Sequence, residues 1–405
     1  MAKQDEPGFA GIAGAAIYFG SNGAAFAALL PWYPMLVDRL GLTSFQFGLV
    51  VASFAIGSIA SSVLPARLIA RFGANAVVLV GTVLLVLAIA ATPWSVSGWM
   101  MAGCLFLAGV FDAIVDVAQN VVGIGVQENR SRVILSSMHA VWSLGGLVSG
   151  ALATAAASAG VDMRFHIAIV AAACIVFVII GRRLIGAEGT HWGRRLVDES
   201  GAEAQGTREP GRRRRILLIA LPLAVVAVCG TAVEDIANNW SSLAAVELAG
   251  IPVAMAGIGF STVIGAQCLG RFTGDVLVQR FGPGHIARLG GILIAAGGLG
   301  LATATGPVQL LVSLAAMGYG SATLVPGALS AASHIPGAGR AAGVTLVNWI
   351  MRVGFMATSP LVGIVATAAS LRWGLGLLVA IGVATTIFAG RLDTPGGREA
   401  PADHG

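Results

Sequence analysis

Residues 111–146 read FDAIVDVAQNVVGIGVQENRSRVILSSMHAVWSLGG. Two apolar runs are joined here by a short polar turn that carries Glu128, Arg130 and Arg132. Asp112, Asp116 and Asn120 lie in the first run and His139 in the second, within segments otherwise apolar enough for lipid. A carboxylate at the centre of a membrane span is costly, so such residues face a bundle interior or a water-filled path. The pair reads as two antiparallel membrane helices lining such a path.

The rest of the chain supports the membrane assignment. Hydrophobic residues make up 56% of 405 positions and charged residues only 11%, about half the charge that covers a soluble protein of ordinary composition. The 56 glycines suit close helix approach in lipid. Cys104, Cys174, Cys229 and Cys268 all sit in apolar runs. They form no CxxC pair and no Cys/His cluster, so neither a disulfide framework nor a metal site is expected. The N-terminal MAKQDEPGFAG lacks the basic start of a signal peptide, so the first helix is expected to stay in the mature chain.

Apolar segments fall at 9–36, 45–70, 74–94, 98–127, 133–159, 164–186, 214–246, 252–279, 286–305, 308–332, 340–368 and 371–390. These are spans 1 to 12, each long enough to cross a bilayer at about 20 residues. With the N-terminus inside, nineteen of the 24 Lys and Arg residues fall on the inner side. Only Arg39, Arg164 and Arg372 fall outside, and Arg271 and Arg352 lie within spans. That asymmetry predicts cytoplasmic termini, and a bacterial inner membrane is the expected location. The net charge of +5 follows from this distribution and does not point to nucleic acid.

The longest connection, near 187–213, is polar and ends in four arginines, Arg212 to Arg215. It divides the spans six and six. ARLIARFG (66–73) after span 2 and DVLVQRFG (275–282) after span 8 repeat at an offset of 209, as do Gly145 and Gly354. The expected domains are a six-helix bundle over 1–186, a cytoplasmic linker over 187–213, a second bundle over 214–393 and a tail over 394–405. The fold class is an all-α membrane protein with twelve helices in two pseudo-symmetric halves.

These features resemble the major facilitator superfamily, whose loop signature after spans 2 and 8 is Gly-x-Leu-x-Asp-Arg-x-Gly. The first copy departs from it, with Ala70 at the Asp position and Ala66 at the first Gly; the second has Gln279 at that Asp. In finer detail the chain is similar to the branch related to bacterial fucose–proton symporters. The matching residues are DVAQN (116–120), MHAVWSLGG (138–146), Glu234 with NWS (239–241), GRFTGD (270–275) and SPLVG (359–363). The resemblance implies proton-coupled transport more strongly than it implies a sugar. It also places Asn22 where symporters of that branch can carry an Asp. An Asn cannot exchange a proton, so the task would pass to Asp112, Asp116 or Glu234.

Asp112, Asp116, Gln119 and Asn120 share one face of span 4. By helical rise, Asn120 lies about 12 Å and Asp116 about 18 Å from the inner end, with His139 near 10 Å on span 5. An Asn120–His139 hydrogen bond is therefore expected, with Trp142 one turn further offering a flat face. On span 7, Glu234 is the first choice for the proton, since a carboxylate taken out of water favours its protonated form. Asp235 reads as a wetted helix-end carboxylate. Asn238 and Asn239 follow one turn on and, with Asn22, Asn348 and Trp349, are candidate substrate contacts. Arg271 and Asp275 are expected to form an intrahelical gate pair. Arg352, at the level of Asp116 by rise, would hold a substrate anion or neutralise Asp116 or Glu234.

The expected function is a proton-coupled symporter of a small polar organic solute, possessing no cofactor and working as a monomer in the bilayer. A proton-antiport exporter of amphipathic molecules is the competing reading, and a membrane sensor that binds without transporting is a third. No catalytic triad, metal-ligand spacing or nucleotide motif is visible, so the chain is not expected to be an enzyme.

Overall fold

The computed structural model describes residues 7–128, 135–186, 212–332, 334–335 and 340–393. All regular structure among them is helical. Among the described residues, eleven helices are long and apolar enough to cross a membrane, or twelve when a bent pair, Ser44–Ala60 with Leu64–Phe72, counts as one span. That pair corrects the continuous helix expected over 45–70. Pro65 stands in the first turn of the second piece, where its ring suits a helix start and cannot continue one. The chain therefore turns by 54° there. Span 1 is likewise interrupted, by a tight turn at Leu30–Trp32.

The spans pack in two matching sets. In the first half, span 1 packs on spans 5 and 6, span 3 on spans 4 and 6, and span 2 on span 4. The same scheme recurs six spans later. Span 7 packs on 11 and 12, span 9 on 10 and 12, and span 8 on 10. The most extensive packings between the halves are span 2 with span 11 and span 5 with span 8, which exchange under the same six-span shift. Span 1 also touches spans 7 and 8. The expected linker falls largely on 187–211, outside the described residues.

The sequence repeat has a backbone counterpart. Gly73 and Gly282, the last residues of the two RFG copies, adopt φ 81°, ψ 150° and φ 84°, ψ 151°. This left-handed-side conformation ends one helix and starts the next, and only glycine takes it without strain. Gly145 and Gly354 also share a role. A Cβ at Gly145 would lie 2.2 Å from the Gly20 carbonyl oxygen of span 1. One at Gly354 would lie 2.5 Å from a Val228 methyl of span 7. Gly145→Ala is expected to destabilise by about 1–3 kcal/mol, and more than Gly354→Ala, because a side chain can turn aside and a helix backbone cannot. Thermal melts of the two variants in one detergent check the order.

The halves close on each other at the end that carries Arg39, Arg164 and Arg372. There the Phe45 amide donates to Thr367 Oγ1 at 2.9 Å, and Ser158 Oγ donates to the Ala254 carbonyl at 3.1 Å. Gly48 of span 2 lies against the backbone of Ser359 and Pro360 in span 11. Toward the opposite end, Ser137 and His139 of span 5 are exposed.

Candidate functional site

The polar residues of spans 1, 4 and 5 form one wall. Trp142 Nε1 donates to Asn22 Oδ1 at 2.7 Å, and Asn22 Nδ2 donates to Asp112 Oδ1 at 3.0 Å. A single buried amide thus joins an indole to a carboxylate, using both of its ends. One turn on, Asp116 accepts from Asn120 Nδ2 at 3.1 Å and from Gln119 Nε2 at 3.4 Å. Asn120 Nδ2 also donates to the Asp116 carbonyl at 2.8 Å. The expected Asn120–His139 bond is not formed. Asn120 lies one turn after Asp116 on the same helix, so the local bond needs no particular approach of span 5. His139 instead sets its ring edge-on to Phe19, 5.2 Å between centroids.

Across from this wall, Arg352 of span 11 donates to Ser58 Oγ of span 2 at 3.3 Å. Its charge acts on both Asp112 and Asp116. The alternative partner, Glu234, is taken by Arg271, with Nη2 2.9 Å from Oε1. Gln267 Nε2 donates to the same oxygen at 2.8 Å. Arg271 thus pairs across spans 8 and 7; the expected Arg271–Asp275 gate pair falls on the Asp275 side chain, which lies outside the described residues. Arg271 Nη1 also donates to Ser143 Oγ of span 5 at 2.6 Å. One guanidinium thus ties a carboxylate of the second half to a hydroxyl of the first. Arg271 and Glu234 keep 28% and 27% of their side chains exposed, so the pair is accessible to water and protons.

Asp235 is the residue that sequence reading undervalued. It is 3% exposed, not a wetted helix end. Asn239 Nδ2 donates to its Oδ1 at 2.7 Å, and the Ser359 hydroxyl donates to its Oδ2. Trp240 Nε1 in turn donates to Ser359 Oγ at 3.1 Å and sets its ring edge-on to Phe47 of span 2. Asp235, Asn238 and Asn239 form the polar corner of a central cavity lined by both halves. Phe26, Tyr33, Phe54 and Phe355 supply its aromatic walls. The cavity is narrow here, about 30 Å³, room for one or two waters. Asn348 is half-buried, and Trp349 is 48% exposed. Among the described residues, no group of His, Cys, Asp and Glu could hold a metal ion.

The comparisons with known proteins fit this geometry. The sequence profile described as Major Facilitator Superfamily matches residues 15–266. The chain belongs to the major facilitator superfamily. It is therefore a multi-pass membrane transporter and not an enzyme, and its transport is secondary. An uncharacterized MFS-type transporter of Yersinia pestis is 25% identical over 92% of this chain and 93% of its own. An uncharacterized transporter of Sinorhizobium fredii is 26% identical over 89% and 92%. Among solved structures, a variant of the nucleoside transporter NupG superposes with a TM-score of 0.74 at 13% identity. It covers 96% of this chain and all of its own, a likeness of fold.

Proposed function

We propose that this transporter couples a proton to the movement of a small organic solute, by alternating access between a bundle over 1–186 and a bundle over 214–393. The observation that carries the proposal is the Arg271 bridge. Glu234 cannot take up a proton and keep its ion pair, and the same guanidinium holds Ser143 of the opposite half. Protonation of Glu234 would therefore loosen a contact between halves, which is what coupling requires.

Asp112 and Asp116, opposite Arg352, form the second charged station. Asn22, Asn120, His139 and Trp142 line the solute's route beside it. With the arginine-poor end outside and both termini in the cytoplasm, the closed end is the outer gate of an inner-membrane protein, and the arrangement faces inward. The branch resemblance, through DVAQN (116–120) and MHAVWSLGG (138–146), favours symport of a polar solute. A second reading, antiport export of an amphipathic molecule, draws support from the aromatic lining of the cavity above Asp235.

Proteoliposomes subjected to a pH jump separate the two. Solute accumulating with an inward proton gradient supports symport, and solute expelled by that gradient supports antiport. Transport of the same solutes insensitive to the gradient would overturn proton coupling altogether.

A further inference from the structure

A cavity lined by basic side chains lies away from the transport path. A groove of about 490 Å³ opens where span 3 begins and span 6 ends, walled by Leu79 and Ile179 and flanked by Arg182 and Arg183. We propose that it binds the headgroup of an anionic phospholipid, with the acyl chains running down the apolar side.

Its floor is fixed by hydrogen bonds that no ligand needs to supply. Asn75 is 5% exposed. Its Nδ2 donates to the Gly186 carbonyl at 3.1 Å, and its Oδ1 accepts from the Tyr18 hydroxyl. One amide thus pins the start of span 3, the end of span 6 and the middle of span 1. Above that floor the chemistry is cationic. Both arginines are exposed, and the ion pair among the described residues is made elsewhere, by Arg271 and Glu234. Span 3 starts at Gly73 with no capping side chain, so the amides of its first turn point their positive end at the same opening.

The arginines also complement the negative end of span 6. That accounts for their charge but not for a groove with an apolar wall beside them. The wall continues onto lipid-facing surface: Phe177 is 50%, Ile180 40% and Val80 56% exposed. A guanidinium pair above a greasy slot matches an amphiphile with a phosphate head. Basic pockets between membrane helices at this depth hold such lipids.

The test uses the purified full chain in a detergent with an uncharged headgroup. Phosphatidylglycerol, phosphatidylcholine and inorganic phosphate are titrated and binding is read by native mass spectrometry and by melting temperature. Phosphatidylglycerol is expected to bind and stabilise, and phosphatidylcholine to do neither at equal concentration. The double variant Arg182→Gln/Arg183→Gln should weaken the phosphatidylglycerol effect roughly 25-fold, from about fivefold per basic residue. Arg182→Lys/Arg183→Lys, which keeps the charge, should retain most of it; if the Gln pair fails to fold, loss of the effect in the Lys pair overturns the proposal. Equal binding of phosphatidylcholine, or an undiminished effect in the Gln variant, also overturns it. Saturation by inorganic phosphate that blocks the lipid's effect assigns the groove to a free anion and overturns the lipid assignment.

Discussion

Replacing Glu234 with Gln is expected to abolish uphill solute accumulation and its dependence on the proton gradient, while leaving solute exchange between equilibrated compartments largely intact. The shape of the side chain is kept, so what is lost is the charge and the ability to gain a proton. Arg271 then loses its carboxylate partner, and its 2.6 Å contact with Ser143 Oγ of the other half is expected to loosen. Removing one member of an ion pair leaves the other uncompensated. Here about a quarter of each side chain is exposed, so water screens the orphaned guanidinium and folding should survive. The two consequences of the substitution can be separated. If loss of the inter-half bridge alone matters, Arg271→Gln should behave as Glu234→Gln does. If the proton is carried by Glu234, Arg271→Gln should keep some gradient dependence, because the carboxylate can still titrate. Proteoliposome uptake and counterflow on the two variants give the answer. Full proton-driven accumulation by Glu234→Gln would remove Glu234 from coupling.

The repeat at an offset of 209 shows how much of the fold was readable before any coordinates. It paired Gly73 with Gly282 and Gly145 with Gly354, and the structure gives each pair one job. The reason is chemical: a positive φ, or a neighbouring helix packed closer than a Cβ allows, favours glycine, so the requirement leaves a visible letter. Which apolar runs cross the membrane was legible on similar grounds, since composition alone decides it. The break in span 2 was not, because Pro65 can open a helix as readily as kink one.

The site is less legible than the fold. Spacing along the chain reports which side chains share a face of one helix. It says little about which residue of another helix that face meets, because that depends on how each helix is rotated in the bundle. Asp112, Asp116 and Asn120 were therefore placed together correctly on span 4. The partners chosen across helices failed at Asn120, which bonds within its own helix. For Arg271 the same-helix partner was expected and the cross-helix one, Glu234, was found. Asp235 was missed for a related reason. Adjacent acids point about 100° apart on a helix, and nothing in the spacing tells which of Glu234 and Asp235 faces water. Ser359, at the start of SPLVG, carries no chemical signal in the sequence, yet its hydroxyl receives Trp240 and holds Asp235.

Arg352→Ala is expected to be the most damaging single change in the spans, and to be relieved by removing negative charge from span 4. The side chain reaches from span 11 to Ser58 of span 2, and its charge acts on Asp112 and Asp116 together. Without it, Asp112 keeps the Asn22 amide, and Asp116 keeps Gln119, Asn120 and the neighbouring His139. Two like charges one helical turn apart also repel each other. Arg352 forms no ion pair with either acid among the described residues and is partly exposed. The cost is expected to fall below the about 3–5 kcal/mol of a broken buried pair, while remaining a sizeable share of ordinary folding stability. A marked fall in melting temperature is therefore expected, with loss of transport. Arg352→Ala combined with Asp116→Asn should recover much of the stability, and adding Asp112→Asn should recover more. Transport should not return with it if those acids carry the proton. That divergence distinguishes an electrostatic role from simple packing, since a packing defect would not be repaired by neutralising a carboxylate on another helix. A single variant with unchanged melting temperature and transport would rule out the pairing of Arg352 with span 4.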